Sequence, residues 1–237
     1  MNIATPARTL GDVIFPPMPT RSWPIRLARE LAIVIGFAWF VALFAQIVFR
    51  LPFTTVPITG QTFAVLATGG TLGAWRGAGA LTTYMILAIV GTPVLAPSLD
   101  MSGQTFHILF PWEGTAAAPW DISSGGYVVG FILASWVAGK IAEMGWHRGP
   151  WLMTGLLFGN IILYIPGLLW LAYLISSDWL HPAAQLPLGE LIAGGSTLEK
   201  TLVGGLYPFI LGDLIKLYLA SLMIPSAWVM IRKLRGL

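Results

Sequence analysis

The chain has 237 residues, of which 56% are hydrophobic and only 10% charged, and its mean hydropathy is +0.78. Soluble domains carry about 25% charged residues, so the composition excludes an ordinary soluble domain and describes an integral membrane protein. Cysteine is absent, which excludes disulfides and thiolate metal sites; the net charge of +3 does not imply a nucleic-acid partner, because the basic residues flank apolar segments.

In chain order, residues 1–30 read as an irregular cytoplasmic leader. Pro6, Pro16, Pro17, Pro19 and Pro24 interrupt it, and it has no continuous apolar core of signal-peptide length. The first predicted span is Leu31–Phe49, with Gln46 as its strongly polar side chain and Arg50 closing it. About 20 apolar residues cross a bilayer core. The loop Leu51–Thr62 follows. Pro52 and Pro57 hold its backbone extended, and Thr59, Gln61 and Thr62 supply neutral donors and acceptors. These either cap the next helix or line a pocket under a lid.

The second span is predicted at Gln61–Ala74, where Gly69, Gly70 and Gly73 lower the intrinsic helix preference. The third covers Ala78–Leu95, and the short link Trp75-Arg76-Gly77 makes the two a hairpin. Ser123-Ser-Gly-Gly-Tyr127 opens the fourth, Gly126–Ala142, and Gly125 and Gly126 permit close approach of a helix or a ligand. The fifth, Trp151–Ile175, carries Asn160 and Tyr164, suited to bonding between helices or to a ligand. The sixth is Leu202–Ile224, and residues 226–237 form a basic cytoplasmic tail. Long loops at 96–125 and 176–201 are rich in Pro, Gly and Trp. No internal repeat divides the chain, so residues 31–225 form a single transmembrane domain.

Six spans put both termini on one side. That side carries Arg8, Arg21, Arg26, Arg29, Arg76, Lys140, Arg148, Arg232, Lys233 and Arg235, ten of the thirteen basic residues. The other side has Arg50 and Lys200, with acidic Asp100, Glu113, Asp121, Asp178, Glu190 and Glu199. The asymmetry predicts cytoplasmic termini.

Asp213 and Lys216 lie inside the last apolar run, three residues apart and so on one helix face. Each costs about 2.5 to 3.5 kcal/mol near the centre of an inserted helix. The pair is either a structural ion pair or a polar ligand site in a helix bundle. Ala38 with Ala42, and Gly69 with Gly73, have the four-residue spacing that lets another helix pack closely, inside the chain or from a partner. Catalytic signatures are missing: His107, His147 and His181 fall in separate loops, and no phosphate-binding loop supplies a nucleotide motor. No cofactor or metal is expected. A six-helix protein with a polar pocket and no motor reads as a binding subunit.

Five segments carry a resemblance: Val56-Pro-Ile-Thr-Gly-Gln-Thr-Phe-Ala-Val-Leu66, Leu72-Gly-Ala-Trp-Arg-Gly-Ala78, Gly91-Thr-Pro-Val-Leu95, Ser124-Gly-Gly-Tyr-Val-Val-Gly-Phe131 and Pro208-Phe-Ile-Leu-Gly-Asp-Leu-Ile-Lys216. In this order they resemble the BioY family, the biotin-binding S components of energy-coupling-factor (ECF) transporters. The resemblance implies a six-helix protein of the bacterial inner membrane that binds biotin from outside. It implies that Asp213 and Lys216 contribute to the ligand site, with Thr59, Gln61, Gly125, Gly126 and Tyr127 around them. It also implies partners, an ECF transmembrane subunit and ATPase subunits, with Ala38 and Ala42 fitting the Ala-x-x-x-Ala docking face of the first helix. This chain differs in having Gly60 where a larger aliphatic residue is usual, and Asp121-Ile-Ser-Ser before Gly-Gly-Tyr127. Its preceding loop is longer, with Gln104, His107, Trp112, Glu113 and Trp120. The competing expectations are an S component for another vitamin or a biotin precursor, and an intramembrane enzyme using Asp213. The enzyme would lack a second carboxylate or histidine at membrane depth.

Overall fold

The structure is a computed structural model describing residues 9–16, 22–97, 105–145 and 151–235. Pro6, Arg8, Pro17, Pro19, Arg21, Asp100, Gln104, His147 and Arg148, used in the reading above, lie outside these residues. The elements in order are α1 (Leu10–Ile14), α2 (Trp23–Ala45), β1 (Val48–Phe49), β2 (Ile58–Thr59), α3 (Gln61–Leu72), α4 (Ala74–Ile89) and β3 (Phe106–His107). A single 3-10 turn at Pro119–Asp121 precedes α5 (Gly125–Glu143), α6 (Trp151–Ser176), α7 (Leu188–Leu191), α8 (Thr197–Gly205) and α9 (Ile210–Arg235).

Four stretches among the described residues are long and apolar enough to cross a membrane: α2, α5, α6 and the α8–α9 stretch Thr197–Leu234. The shorter α3 and α4 have 12 and 16 residues. At 1.5 Å per residue, α3 is only about 18 Å long. It is buried on nearly every side, by α2, α4, α5 and α9 and by contacts with α1 and α6. A helix covered all round has no polar stripe to show, which explains its even mixture of Thr, Gly and aliphatic residues.

Glycines set the spacing of this centre. A Cβ on Gly69 would lie 2.1 Å from the Ser135 carbonyl oxygen, and one on Gly130 would lie 2.4 Å from that of Leu163. These backbones touch, so α3 packs on α5, and α5 on α6, with no side chain between. Gly73 has φ +86° and closes the α3–α4 turn. The Glu143 carboxylate accepts from the Ala74 N–H there (2.8 Å), satisfying one of the orphan donors at the start of α4.

Several element boundaries differ from the sequence reading. α2 begins at Trp23 rather than Leu31, because Pro24 falls in its first turn, where a proline is tolerated. It ends at Ala45, and Val48–Phe49 leave the helix to pair in a sheet. Trp75-Arg76-Gly77 belongs to α4, since Gly73 alone makes the turn; α4 stops at Ile89, before Gly91 (φ +82°) and Pro93. The predicted sixth span is interrupted at residues 206–209. Its second part then runs unbroken to Arg235, through Pro225 and through most of the predicted tail. Helices therefore run across both boundaries drawn at residues 30 and 225.

The expected irregular leader also contains structure. Thr9 and Asp12 form a reciprocal capping box around α1, and Leu10 and Val13 enter the core. Asp12 and Glu30 both pair with Arg76, at 2.9 and 2.6 Å. Burial works against the Asp12 charge, but bonds from Arg76 and Thr9 outweigh it and hold the carboxyl below its ordinary value. Arg29 adds bonds to the Phe15 and Pro16 carbonyls. One end of the bundle is thus tied by charge, and the three-stranded sheet β2-β1-β3 covers the other.

Ala38 and Ala42 are fully buried in the core. This small-residue face of α2 is closed by packing within the chain. The pairs around Arg76 are only part-buried, and such pairs are worth up to about 1 kcal/mol each. Arg76→Gln should lower stability in detergent by about 1 kcal/mol and speed proteolysis around α1; an unchanged cleavage rate would show that these pairs do not hold the leader.

Candidate functional site

The sheet end of the bundle encloses a cavity of about 290 Å³. The hairpin between β1 and β2 roofs it. The starts of α3, α5 and α9 enter from the sides, with Leu163 and Tyr164 of α6. The loop after α6 adds Trp179 and His181. The lining is mostly apolar, with polar groups in a few places, as ligand sites generally are.

Asp213 is the most costly group in this wall. It is 3% exposed, and the break before α9 puts it in the first turn of that helix rather than mid-helix. A carboxylate is favoured there by the unsatisfied N–H groups and the helix dipole. Its Oδ2 accepts from the Tyr164 hydroxyl at 2.6 Å and its Oδ1 from Lys216 Nζ at 3.0 Å. The spacing read from sequence does bring the two charges together.

Tyr164 is placed by Tyr127. The two rings meet edge to face at 5.9 Å, and the Tyr127 hydroxyl donates to the Gly205 carbonyl at the end of α8 (2.7 Å). Tyr127 therefore links the start of α5 to the chain break that positions Asp213. Gln61 is equally constrained. Its Nε2 donates to the Tyr84 hydroxyl (2.7 Å) and its Oε1 accepts from the Thr59 hydroxyl (3.0 Å), while Tyr84 donates to the Val94 carbonyl (3.0 Å). The amide orientation is thereby fixed, leaving capacity on both ends for a ligand. Thr59 Oγ1 also accepts from the Gln61 N–H (3.2 Å), so capping and lining are done by one residue.

Asp213, Lys216, Thr59, Gln61, Tyr127 and Tyr164 all line the cavity. Gly125, Gly126 and Asn160 do not. A Cβ at Gly125 would fall 1.6 Å from the Pro119 carbonyl oxygen, and at Gly126 2.3 Å from that of Pro166. These glycines act by letting α5 start against the 3-10 turn and α6, which sets Tyr127 in place. Asn160 is buried along α6, and its Oδ1 has no hydrogen-bond partner among the described residues.

Arg50 and His181 were not expected in the site, yet both line the cavity. Burial, with the nearby Arg50 charge, holds the His181 imidazole below its ordinary value, so it is neutral at pH 7. Burial also lowers the Arg50 guanidinium from its ordinary value; arginine nonetheless stays cationic in proteins. Arg50 gave one usable signal in the sequence: it is a cation next to the Pro-Thr loop on the side poor in basic residues. His181, in the loop after α6 and far in sequence from the Pro-Thr loop, gave none.

Comparison with known proteins places this geometry in context. The family model described as "BioY family" matches residues 17–233. The probable biotin transporter BioY of Pyrococcus horikoshii is 28% identical over 189 residues, 80% of this chain and 90% of that protein. The biotin transporter BioY of Rhodobacter capsulatus is 30% identical over 192 residues, 77% of this chain and 87% of the other. The crystal structure of an S-component for biotin from an ECF-type ABC transporter is similar in fold. Its TM-score is 0.58 at 23% identity, covering 92% of this chain and 96% of that one.

Tyr164→Phe removes the hydroxyl from a buried carboxylate without changing the ring. It should destabilise the protein by about 1.5 to 3 kcal/mol, the range for a bond to a charged group, measured by unfolding in detergent. A neutral result would mean that Asp213 does not depend on that bond.

Proposed function

The chain belongs to the BioY family, and on that premise we propose that it is the biotin-capturing S component of an ECF-type uptake system. It takes biotin from outside the cell and hands it to the cytoplasm. The observation that carries this reading is the Asp213–Lys216–Tyr164 cluster opening into the cavity under the β1–β2 hairpin. The relatives it matches are biotin transporters by name, and the solved S-component belongs to an ECF-type ABC transporter. The chain is a substrate-binding subunit, and ATP hydrolysis belongs to partner subunits. In this reading α2–α6 and α9 are six spans, the sheet end faces outward and both termini are cytoplasmic. The basic residues at the Arg76 end support that orientation.

The ligand chemistry divides between two polar clusters. Biotin has two ureido N–H donors and a ureido carbonyl at one end, and a carboxylate at the other. Asp213 accepts ureido N–H bonds, which are strengthened by its charge. Lys216, held beside it, donates to the ureido oxygen. Arg50 receives the carboxylate, since Lys216 is already committed to Asp213 and His181 is neutral. Tyr127, Tyr164 and Phe131 cover the apolar ring and tail.

The partner surface follows from exposure. Ala28, Ala32 and Gly36 recur every fourth residue on α2 and are exposed, and nothing lies within 4 Å of a Cβ built on Gly36. This stripe, rather than Ala38 and Ala42, is the face a transmembrane partner helix can approach closely.

Equilibrium binding of radiolabelled biotin in detergent tests the reading. Asp213→Asn should weaken binding by about 10- to 100-fold, from the loss of a charge-assisted bond. A folded wild type that does not bind biotin, or binds another vitamin more tightly, would overturn the ligand assignment. Arg50→Gln should weaken biotin but not biotin amide, which lacks the carboxylate; equal weakening of both would remove Arg50 from the carboxylate end.

A further inference from the structure

The long loop after α4 leaves a run of residues, Thr105 to Trp112, lying beside the outer end of α2. Phe106, Ile108 and Phe110 in this run are 62%, 60% and 73% exposed, an unusual amount of large apolar surface for a segment outside the core. The run's ionisable side chain, His107, is turned inward and buried, and its Nδ1 faces Glu113 at 3.4 Å. No charge is presented on the outer side of this run.

This surface continues an apolar one. Trp112 packs on Trp39 of α2 with ring centroids 5.9 Å apart, and its indole N–H donates to the Pro93 carbonyl just after α4. Trp39 is six residues before the end of α2 and 43% exposed, on the same helix as exposed Ile35. At the end of α4, Ile89 and Val90 are exposed too. The Trp39–Trp112 contact therefore joins the loop to the outer, apolar surface of two bundle helices. Around those helices that surface is solvated by lipid. The Arg50 N–H donates to the Thr105 carbonyl and the Leu109 N–H to that of Gln46, so the run descends beside the end of α2 toward Trp39, and apolar side chains just above such a surface enter the headgroup boundary.

We propose that Phe106, Ile108 and Phe110 form a wedge at the headgroup boundary of the outer leaflet, above the Trp39–Trp112 pair in the apolar layer, and that the lipid bilayer is its partner. The wedge has a structural consequence. Phe106–His107 is β3, which pairs with β1, and β1 pairs with β2. The hairpin roofing the cavity is thus fastened to the membrane through one edge of its sheet. The inference needs the membrane reading but not the identity of the ligand, so failure to bind biotin would leave it standing.

The chain lacks cysteine, so Phe110→Cys and Phe106→Cys can each be labelled with an environment-sensitive fluorophore. A single copy is placed in nanodiscs of phosphatidylcholine and phosphatidylglycerol. Lipids carrying a nitroxide near the headgroup should quench each label several-fold more than aqueous iodide does. Adding Phe110→Asp to the labelled Phe106→Cys protein should raise iodide quenching several-fold. Strong iodide quenching of both labels, without the added aspartate, would overturn the wedge. So would shielding seen only with two copies per disc, which would make the partner a second copy, or an Asp variant that leaves iodide access unchanged.

Discussion

The buried carboxylate of Asp213 is the constraint on which the sheet end of this protein depends. An unpaired charge at that level of burial is not sustainable, and the chain answers with three separate devices. The break before α9 gives Asp213 a helix start, Lys216 supplies the countercharge, and Tyr164 supplies a neutral hydroxyl. Each device fixes a different element. The break is held through Tyr127 and Gly205, the lysine requires the first turn of α9, and the tyrosine fixes the height of α6 against α9. A buried ion pair is weak evidence for stability, because two desolvated charges rarely gain more than they lose. A pair that lines a cavity and keeps acceptor capacity is better explained by what it receives.

The helix bundle below it works by a different principle. Its helices meet backbone to backbone through Gly69, Gly130 and Gly139, where any side chain would collide with a neighbouring main chain. In lipid there is little hydrophobic drive to bring helices together, so close contact of this kind carries the association. α3 is the result: too short to cross a bilayer core by itself, yet sheathed by its neighbours. The charged network of Asp12, Glu30 and Arg76 then closes the far end, where water is available and such pairs are cheap to form.

This division explains what the sequence disclosed. Long apolar runs are read directly, so α6 was placed to within a residue. The spacing of Asp213 and Lys216 was enough to pair them, because three residues in a helix leave little choice. The α8–α9 break was signalled only by Gly204, Gly205 and Pro208, residues that a continuous transmembrane helix also tolerates; Leu206-Tyr-Pro-Phe209 is as apolar as its flanks, so hydropathy did not separate one helix from two. The same blindness hid the burial of Ala38 and Ala42. Four-residue spacing of small side chains marks a face that can be approached, and it is silent on whether the approaching helix belongs to this chain. Arg50 and His181 were missed for a third reason: their meeting depends on where two loops come to rest, which no local pattern encodes.

Specificity and scaffold are therefore written at different levels. The cluster around Asp213 comes from helix ends, and its geometry follows once the glycine contacts set the helices. The cation at Arg50 comes from the strand edge, where three two-residue strands hold it with few hydrogen bonds. Each such bond is worth about 1 kcal/mol net, so the roof is much more easily remodelled than the floor. A ligand with a rigid polar head and a charged flexible tail suits that arrangement. On the proposed reading, the head meets the closely bonded groups around Asp213 and the tail meets Arg50 at the strand edge.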